Sequence, residues 1–135
     1  MSEFIYSPIP ASSGGFRILR LRPGSPDNSV ECDLIIAQLD SSNLLPYDAL
    51  SYFWGDPDDR EAITVHGREQ HVTRNLHAAL RQLRSVSRDR LLWADAVCIN
   101  QNDAEEKGKQ VQLMRDIYRK AERTIVWLGE GSIFT

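Results

Sequence analysis

Residues 91–101 read Leu91-Leu92-Trp93-Ala94-Asp95-Ala96-Val97-Cys98-Ile99-Asn100-Gln101. An apolar run of strand length holds one carboxylate and breaks into an amide pair at its end. A strand covered on both faces carries this continuous apolar pattern. The expectation is a central strand over 91–97, with Asp95 inside it. A charge in such a run is costly unless it is paired or hydrogen-bonded. Asp95 therefore has a dedicated partner or faces a ligand crevice, and both readings stay open.

The flanks on either side are helical in pattern. Leu76, Ala79, Leu80 and Leu83 recur at helical spacing, predicting a helix over 74–85 with Thr73 as its cap. Val111, Met114, Ile117, Tyr118 and Ala121 form the apolar stripe of a second helix over 104–121. Asp103 followed by Glu106 fits a capping box, with Glu106 reaching back to the cap. Beyond it, 124–128 (TIVWL) reads as a buried strand that stops at Gly129.

Further out, 16–22 and 31–39 are predicted to form a hairpin across the Pro23–Asn28 loop. Residues 48–54 (DALSYFW) give another strand, ending at Gly55-Asp56-Pro57. Residues 62–66 and 70–73 flank Gly67-Arg68 and predict a short hairpin. Residues 1–15, rich in Ser, Pro and Gly, are expected to be an irregular lead-in, with one domain over 16–135. Strand, helix, strand, helix, strand in the second half favours a parallel sheet with right-handed crossovers. In open sheets of that kind, ligands bind beyond the carboxyl ends of the strands. Here those ends carry Trp54, Gly55 and Asp56, then Asn100 and Gln101, then Gly129 and Glu130.

Composition narrows the function. The net charge is −3 and no basic stripe interleaved with aromatics occurs, which argues against nucleic acid as partner. Cys32 and Cys98 lack metal or redox spacing, and Cys98 reads as a reduced core residue. With no leader and no apolar run of membrane-spanning length, the expected location is the cytoplasm. His66, His71 and His77 lack the spacing of metal ligands, so no metal is expected. Ser51 and Cys98 lie inside predicted strands, without a nucleophile elbow.

The candidate ligand-binding residues are Trp54, Gly55, Asp56, Asn100 and Gln101, and the candidate catalytic residues are Glu106 and Asp95. Each has a plain structural reading beside it. Asn100 and Gln101 serve a turn into the next helix. Glu106 serves the capping box. Trp93 and Trp127 serve the core, which leaves Trp54, beside Gly55 at a strand end, as the stacking candidate. Arg115, Arg119, Lys120 and Arg123 are the solvated face of the second helix, and suit its dipole.

Four blocks in order carry a family resemblance. Tyr47-Asp48-Ala49-Leu50-Ser51-Tyr52-Phe53-Trp54-Gly55-Asp56-Pro57 resembles the opening motif of the fungal heterokaryon-incompatibility (HET) domain. Val72-Thr73-Arg74-Asn75-Leu76 resembles its second block, and Leu92 to Gln101 its most specific one. Glu106, Gln110-Val111, Met114, Ile117-Tyr118, Ala121 and Ile125-Val126-Trp127-Leu128-Gly129 complete the pattern. Phe53 stands where a small β-branched residue is common, and Ala94 where Ile is common. Family members usually continue past the last strand, which leaves an excised fragment or a short stand-alone form as alternatives.

The resemblance implies a role in non-self recognition and programmed cell death when unlike fungal cells fuse, exercised by association with protein partners or with further copies. HET domains are distantly similar to Toll/interleukin-1-receptor (TIR) domains. That similarity implies an α/β, TIR/flavodoxin-like, mostly parallel sheet with crossover helices, here preceded by the N-terminal β-hairpin. Some TIR domains cleave NAD, so the alternative is a NAD glycohydrolase with NAD as substrate. No other cofactor is implied. The TIR catalytic glutamate lies on a helix after the strand equivalent to 124–128, and no residue here matches it.

Overall fold

A computed structural model describes residues 3–10, 14–129 and 132–134, the last three by backbone alone. Its strands are β1 (Gly15–Leu21), β2 (Glu31–Gln38), β3 (Asp48–Tyr52), β4 (Arg60–Val65), β5 (Arg68–Thr73), β6 (Arg90–Trp93), β7 (Arg123–Gly129) and β8 (Ser132–Phe134). Its helices are α1 (Arg74–Leu83), α2 (Asp95–Cys98) and α3 (Ala104–Lys120). All the strands join one sheet in the order β5-β4-β2-β1-β6-β3-β7-β8.

The three strands expected to be parallel are parallel. β3 lies between β6 and β7 and pairs in parallel with both. The chain between β6 and β7 contains α3, and the chain between β3 and β6 contains α1. The sheet as a whole is mixed, which corrects the expectation of a mostly parallel one. β1 runs antiparallel to β2 and to β6, β4 to β5, and β7 to β8, while β2 pairs with β4 in parallel. The predicted N-terminal hairpin β1–β2 is therefore an integral part of the sheet. It places β1 beside β6, and β1 is buried over almost its whole length.

The run at 91–97 is not one strand. β6 ends at Trp93, and Asp95–Cys98 form the helical turn α2. Val97 and Cys98 donate their backbone N–H groups to Ala94 O at 3.1 and 2.8 Å. A short buried helix and a buried strand give the same unbroken apolar run, and periodicity does not separate them. Likewise β3 stops at Tyr52, leaving Phe53 and Trp54 beyond the sheet.

The hairpin β4–β5 closes at His66 and Gly67, with φ of 50° and 76°. Two successive positive φ values match the twist of the flanking strands, and glycine supplies the second without strain.

Capping differs from expectation at both long helices. Thr73 sits at the N-cap of α1, but its hydroxyl makes no cap bond. Asp103 caps α3 by accepting from Glu106 N–H at 3.1 Å, while the Glu106 carboxylate does not return to the cap and is bonded elsewhere. Val111, expected in the apolar stripe, is 53 % exposed, and the buried residues of α3 are Gln110 and Ile117.

The core joins Phe16, Ile18 and Leu19 of β1 to Leu50, Trp93 and Trp127 and to the inward face of α1. Cys32 and Cys98 are free and buried. Burial pushes the Cys98 thiol up to about 12 from an ordinary value of 9.0, and raises that of Cys32 as well. Burial also pushes the Tyr47 phenol up to about 12. A folded-state value above the unfolded one means that the native state holds its proton longer, so stability falls as pH rises between the two. Stability from these groups is expected to be intact below about pH 9 and to decline as pH climbs toward 12. Urea midpoints measured from pH 7 to 11 check this, and a flat profile would contradict it.

Candidate functional site

The carboxyl ends of β6 and β3 meet at Asp95. Its Oδ1 accepts from the Tyr52 hydroxyl at 3.1 Å and from Trp54 Nε1 at 3.2 Å. Burial raises the Tyr52 phenol well above its usual range, and the adjacent Asp95 carboxylate adds to the rise. Of the two readings open for Asp95, the structure supplies the dedicated partners, Tyr52 and Trp54. It is half-buried rather than fully enclosed, because α2 carries it to the sheet's rim. Asp95→Ala is accordingly expected to cost about 1–3 kcal/mol, the price of lost hydrogen bonds and two orphaned donors. It should also free the Trp54 ring. A urea melt and Trp fluorescence check both effects, and an unchanged midpoint would refute the assignment.

A second polar anchor links β3, β7 and α1. The Asn75 side chain donates from Nδ2 to Phe53 O and accepts from Trp127 Nε1 at 3.0 Å. Gly55 follows the aromatic pair at φ 79°, where a β-carbon would be strained. The backbone under Phe53 and Trp54 is thus held from both sides. Their side chains remain outside, 76 % and 40 % exposed. The last β3–β7 pair is Tyr52 with Trp127, and Leu128, the next residue of β7, is 65 % exposed. Most large apolar residues of the chain are buried, so exposed ones at the adjoining ends of β3 and β7 have no role in the core.

Trp54, Gly55 and Asp56 line a groove of about 300 Å³ with Asp59, Arg74 and Asn75. Asp56 Oδ1 accepts from Asp58 N–H at 2.9 Å, the short local bond of a turn. Of the other strand end, Gly129 closes β7, and Glu130 lies outside the described residues.

Asn100 and Gln101 are brought near Asp95 but serve the turn. Asn100 Oδ1 accepts from Asn102 N–H, and Gln101 Nε2 donates to Asp95 O at 2.9 Å. Glu106 lies in a different environment. Its Oε1 and Oε2 accept from Arg17 Nη2 and Nη1 at 2.7 and 2.8 Å, and Oε2 also accepts from Asn100 N–H at 2.6 Å. Arg17 is 2 % exposed and also donates to Cys98 O and Ser7 O, with its guanidinium 4.7 Å from the Tyr6 ring centroid. Tyr6 donates its hydroxyl to Val97 O at 2.6 Å. This cluster ties the lead-in to β1, α2 and α3. Glu106 borders a separate cavity of about 500 Å³ between Pro8–Pro10 and α3. Trp54 and Glu106 thus face different cavities.

Sequence reading missed Arg17, Tyr6 and Asn75. Arg17 carried a signal, since an arginine inside an otherwise apolar strand needs a partner as much as Asp95 does. Asn75 lay within the second block of the resemblance, but its two partners are set only by packing. No group of His, Cys, Asp and Glu among the described residues is arranged to hold a metal. No helix there is long and apolar enough to cross a membrane.

Against known proteins, residues 47–133 match the family model described as heterokaryon incompatibility protein (HET). The chain is 37 % identical over 142 residues to heterokaryon incompatibility protein 6, OR allele, of Neurospora crassa, covering 93 % of this chain and 21 % of that protein. The chain thus spans about a fifth of that relative's length. No solved structure matches it at a significant level.

Proposed function

The chain belongs to the heterokaryon incompatibility (HET) family, and from that premise we propose that it acts in fungal non-self recognition, transmitting a cell-death signal by association with protein partners in the cytoplasm. The observation that carries this reading is the exposure of Phe53, Trp54 and Leu128 at the ends of the neighbouring strands β3 and β7. Exposed aromatic residues on a fixed backbone are the usual anchors of protein interfaces. The carboxylates, by contrast, are committed. Glu106 accepts three hydrogen bonds and Asp95 holds Tyr52 and Trp54.

Glycosidic cleavage requires a positioned carboxylate free to stabilise positive charge in the transition state. Both oxygens of Glu106 are taken by Arg17 and Asn100, and Asp95 uses Oδ1 to hold Tyr52 and Trp54, so the purified 135 residues are expected to leave NAD intact. The functional test is induced expression in a filamentous fungus, scored by growth arrest and vital staining. Phe53→Asp should abolish the response while the chain still accumulates. A Phe53→Asp chain as active as the parent, or NAD turnover that Glu106→Gln removes from a folded protein, would overturn the reading.

A further inference from the structure

β2 is paired along one side and only briefly along the other. Toward β1 it pairs continuously from Cys32 to Gln38. Toward β4 it pairs at Glu31 and Cys32 alone, because β4 then turns away at His66 and Gly67. The phase of the ladder says which groups this leaves. Arg22 N–H donates to Glu31 O and Leu39 N–H to Gly14 O, so the odd-numbered residues of β2 bond to β1 and the even-numbered ones point toward β4. Cys32 O accepts from His66 N–H at 3.0 Å, and Leu34 N–H donates to His66 Nε2 at 3.0 Å. Past that point, Leu34 C=O and the N–H and C=O of Ile36 have no partner among the described residues. Gln38 O closes the stretch by accepting from Ser41 N–H at 3.1 Å.

A bare strand edge is a template for another strand, and proteins ordinarily guard it with charge, proline or a bulge. β5, the outermost strand at this end of the sheet, is guarded. It carries Arg68, Glu69 and His71, and Phe4 N–H of the lead-in bonds to Glu69 O. The vacated edge of β2, Leu34-Ile35-Ile36-Ala37-Gln38, has no charge, no proline and no bulge. Ile36 is exposed there and borders a cavity of about 370 Å³ with Phe4, Ile5, Leu34, His66 and Arg68. Arg68 makes no ion pair among the described residues. We propose that this edge docks an extended segment of a partner protein, which pairs its main chain with Leu34 and Ile36, sets an apolar side chain into the cavity and brings a carboxylate to Arg68. The main-chain bonds supply affinity, and the cavity selects among side chains, because alternate residues of an added strand fall on one face. The inference rests on the association reading for its role and on the ladder for its geometry.

The experiment is selection from a random-peptide phage library on the purified 135-residue chain, followed by titration of the enriched sequences as free synthetic peptides. The expected peptides place apolar residues at alternate positions, carry Asp or Glu, and slow hydrogen exchange at the Ile36 amide when bound. Ile36→Pro removes the edge donor and no bond to β1, and a strand tolerates proline at such a position. It should bind these peptides at least about tenfold more weakly, which is the effect of losing a main-chain hydrogen bond. Ile36→Lys keeps the N–H but guards the edge with charge, and should weaken binding as well. Circular dichroism verifies that both variants are folded. Arg68→Glu should weaken binding of the acidic peptides through like-charge repulsion. Phe53→Asp should leave binding unchanged, since β1 and β6 lie between β2 and β3.

No enriched peptide, peptides that bind a folded Ile36 variant as tightly as the parent, binding that Phe53→Asp abolishes, or an edge occupied by a second copy in place of a peptide would overturn the inference. The functional reading is tested at a different residue, which keeps the two failures apart. A fungal response lost in Phe53→Asp, with peptides indifferent to Ile36, overturns the β2 site alone. A fungal response that survives Phe53→Asp, with peptides that require Ile36, overturns the functional reading and supports the site.

Discussion

Glu106→Ala is expected to destabilise the domain by about 3–5 kcal/mol, the cost of leaving a buried charge without its partner. Arg17 is 2 % exposed and its two terminal nitrogens are aimed at the carboxylate in a bidentate fork. Alanine would strand that guanidinium and also orphan the Asn100 N–H, which donates to the same oxygen. A domain of this size is stable by only about 5–15 kcal/mol, so a large part of the total would be lost. Urea unfolding checks the magnitude. Arg17→Met combined with Glu106→Leu should lose less, because it removes both charges together. A midpoint for Glu106→Ala equal to that of the parent would show that Arg17 finds other compensation. The same measurement bears on function, since loss of activity in a Glu106 variant means little until folding is established.

Trp93→Ala should be of similar size, about 3–5 kcal/mol, the usual cost of emptying a buried aromatic site. Trp93 is fully buried at the end of β6 and meets Tyr118 of α3 edge to face, with ring centroids 5.4 Å apart. Its removal would open a void where β6, β3 and α3 converge, next to the Ala94–Asp95 turn. The Asp95 bonds to Tyr52 and Trp54 should loosen with it. The indole N–H of Trp93 has no partner among the described residues, so Trp93→Phe discards that donor and should cost far less than alanine. Denaturation midpoints of the two variants test this order, and equal losses would contradict it.

Local pattern was enough for much of the architecture. The apolar runs at 48–54, 91–97 and 124–128 announced three buried strands, of which the first two end sooner, at Tyr52 and Trp93, and the helical stripes between them implied that those strands run parallel. The four-block resemblance located the family from residues 47 to 129. The capping signal at Asp103 was right for the aspartate, because an N-cap needs only a side chain and an amide three residues on. It was wrong for Glu106, because a carboxylate takes the strongest partner within reach, and Arg17 lies 89 residues away in sequence.

The same division governs the site. That Asp95 has a dedicated partner or faces a ligand crevice followed from the cost of a lone charge in an apolar run; that its partners are Tyr52 and Trp54 was decided by the packing of β3 against β6. That Asp95 stands on a helical turn at the rim, rather than within a strand, depended on where β6 ran out of neighbours. Leucine, tryptophan and valine bury equally well in either form. Composition and spacing determined the family, the parallel core and the residues that need partners, since these follow from local periodicity and from the price of burying charge. Tertiary structure alone decided that β1 joins β2 to β6, that Glu106 belongs to Arg17, and that Phe53, Trp54 and Leu128 are left exposed. Each of these depends on which distant segments meet, and the chain settles that by burying the most apolar surface while leaving no charge unpaired.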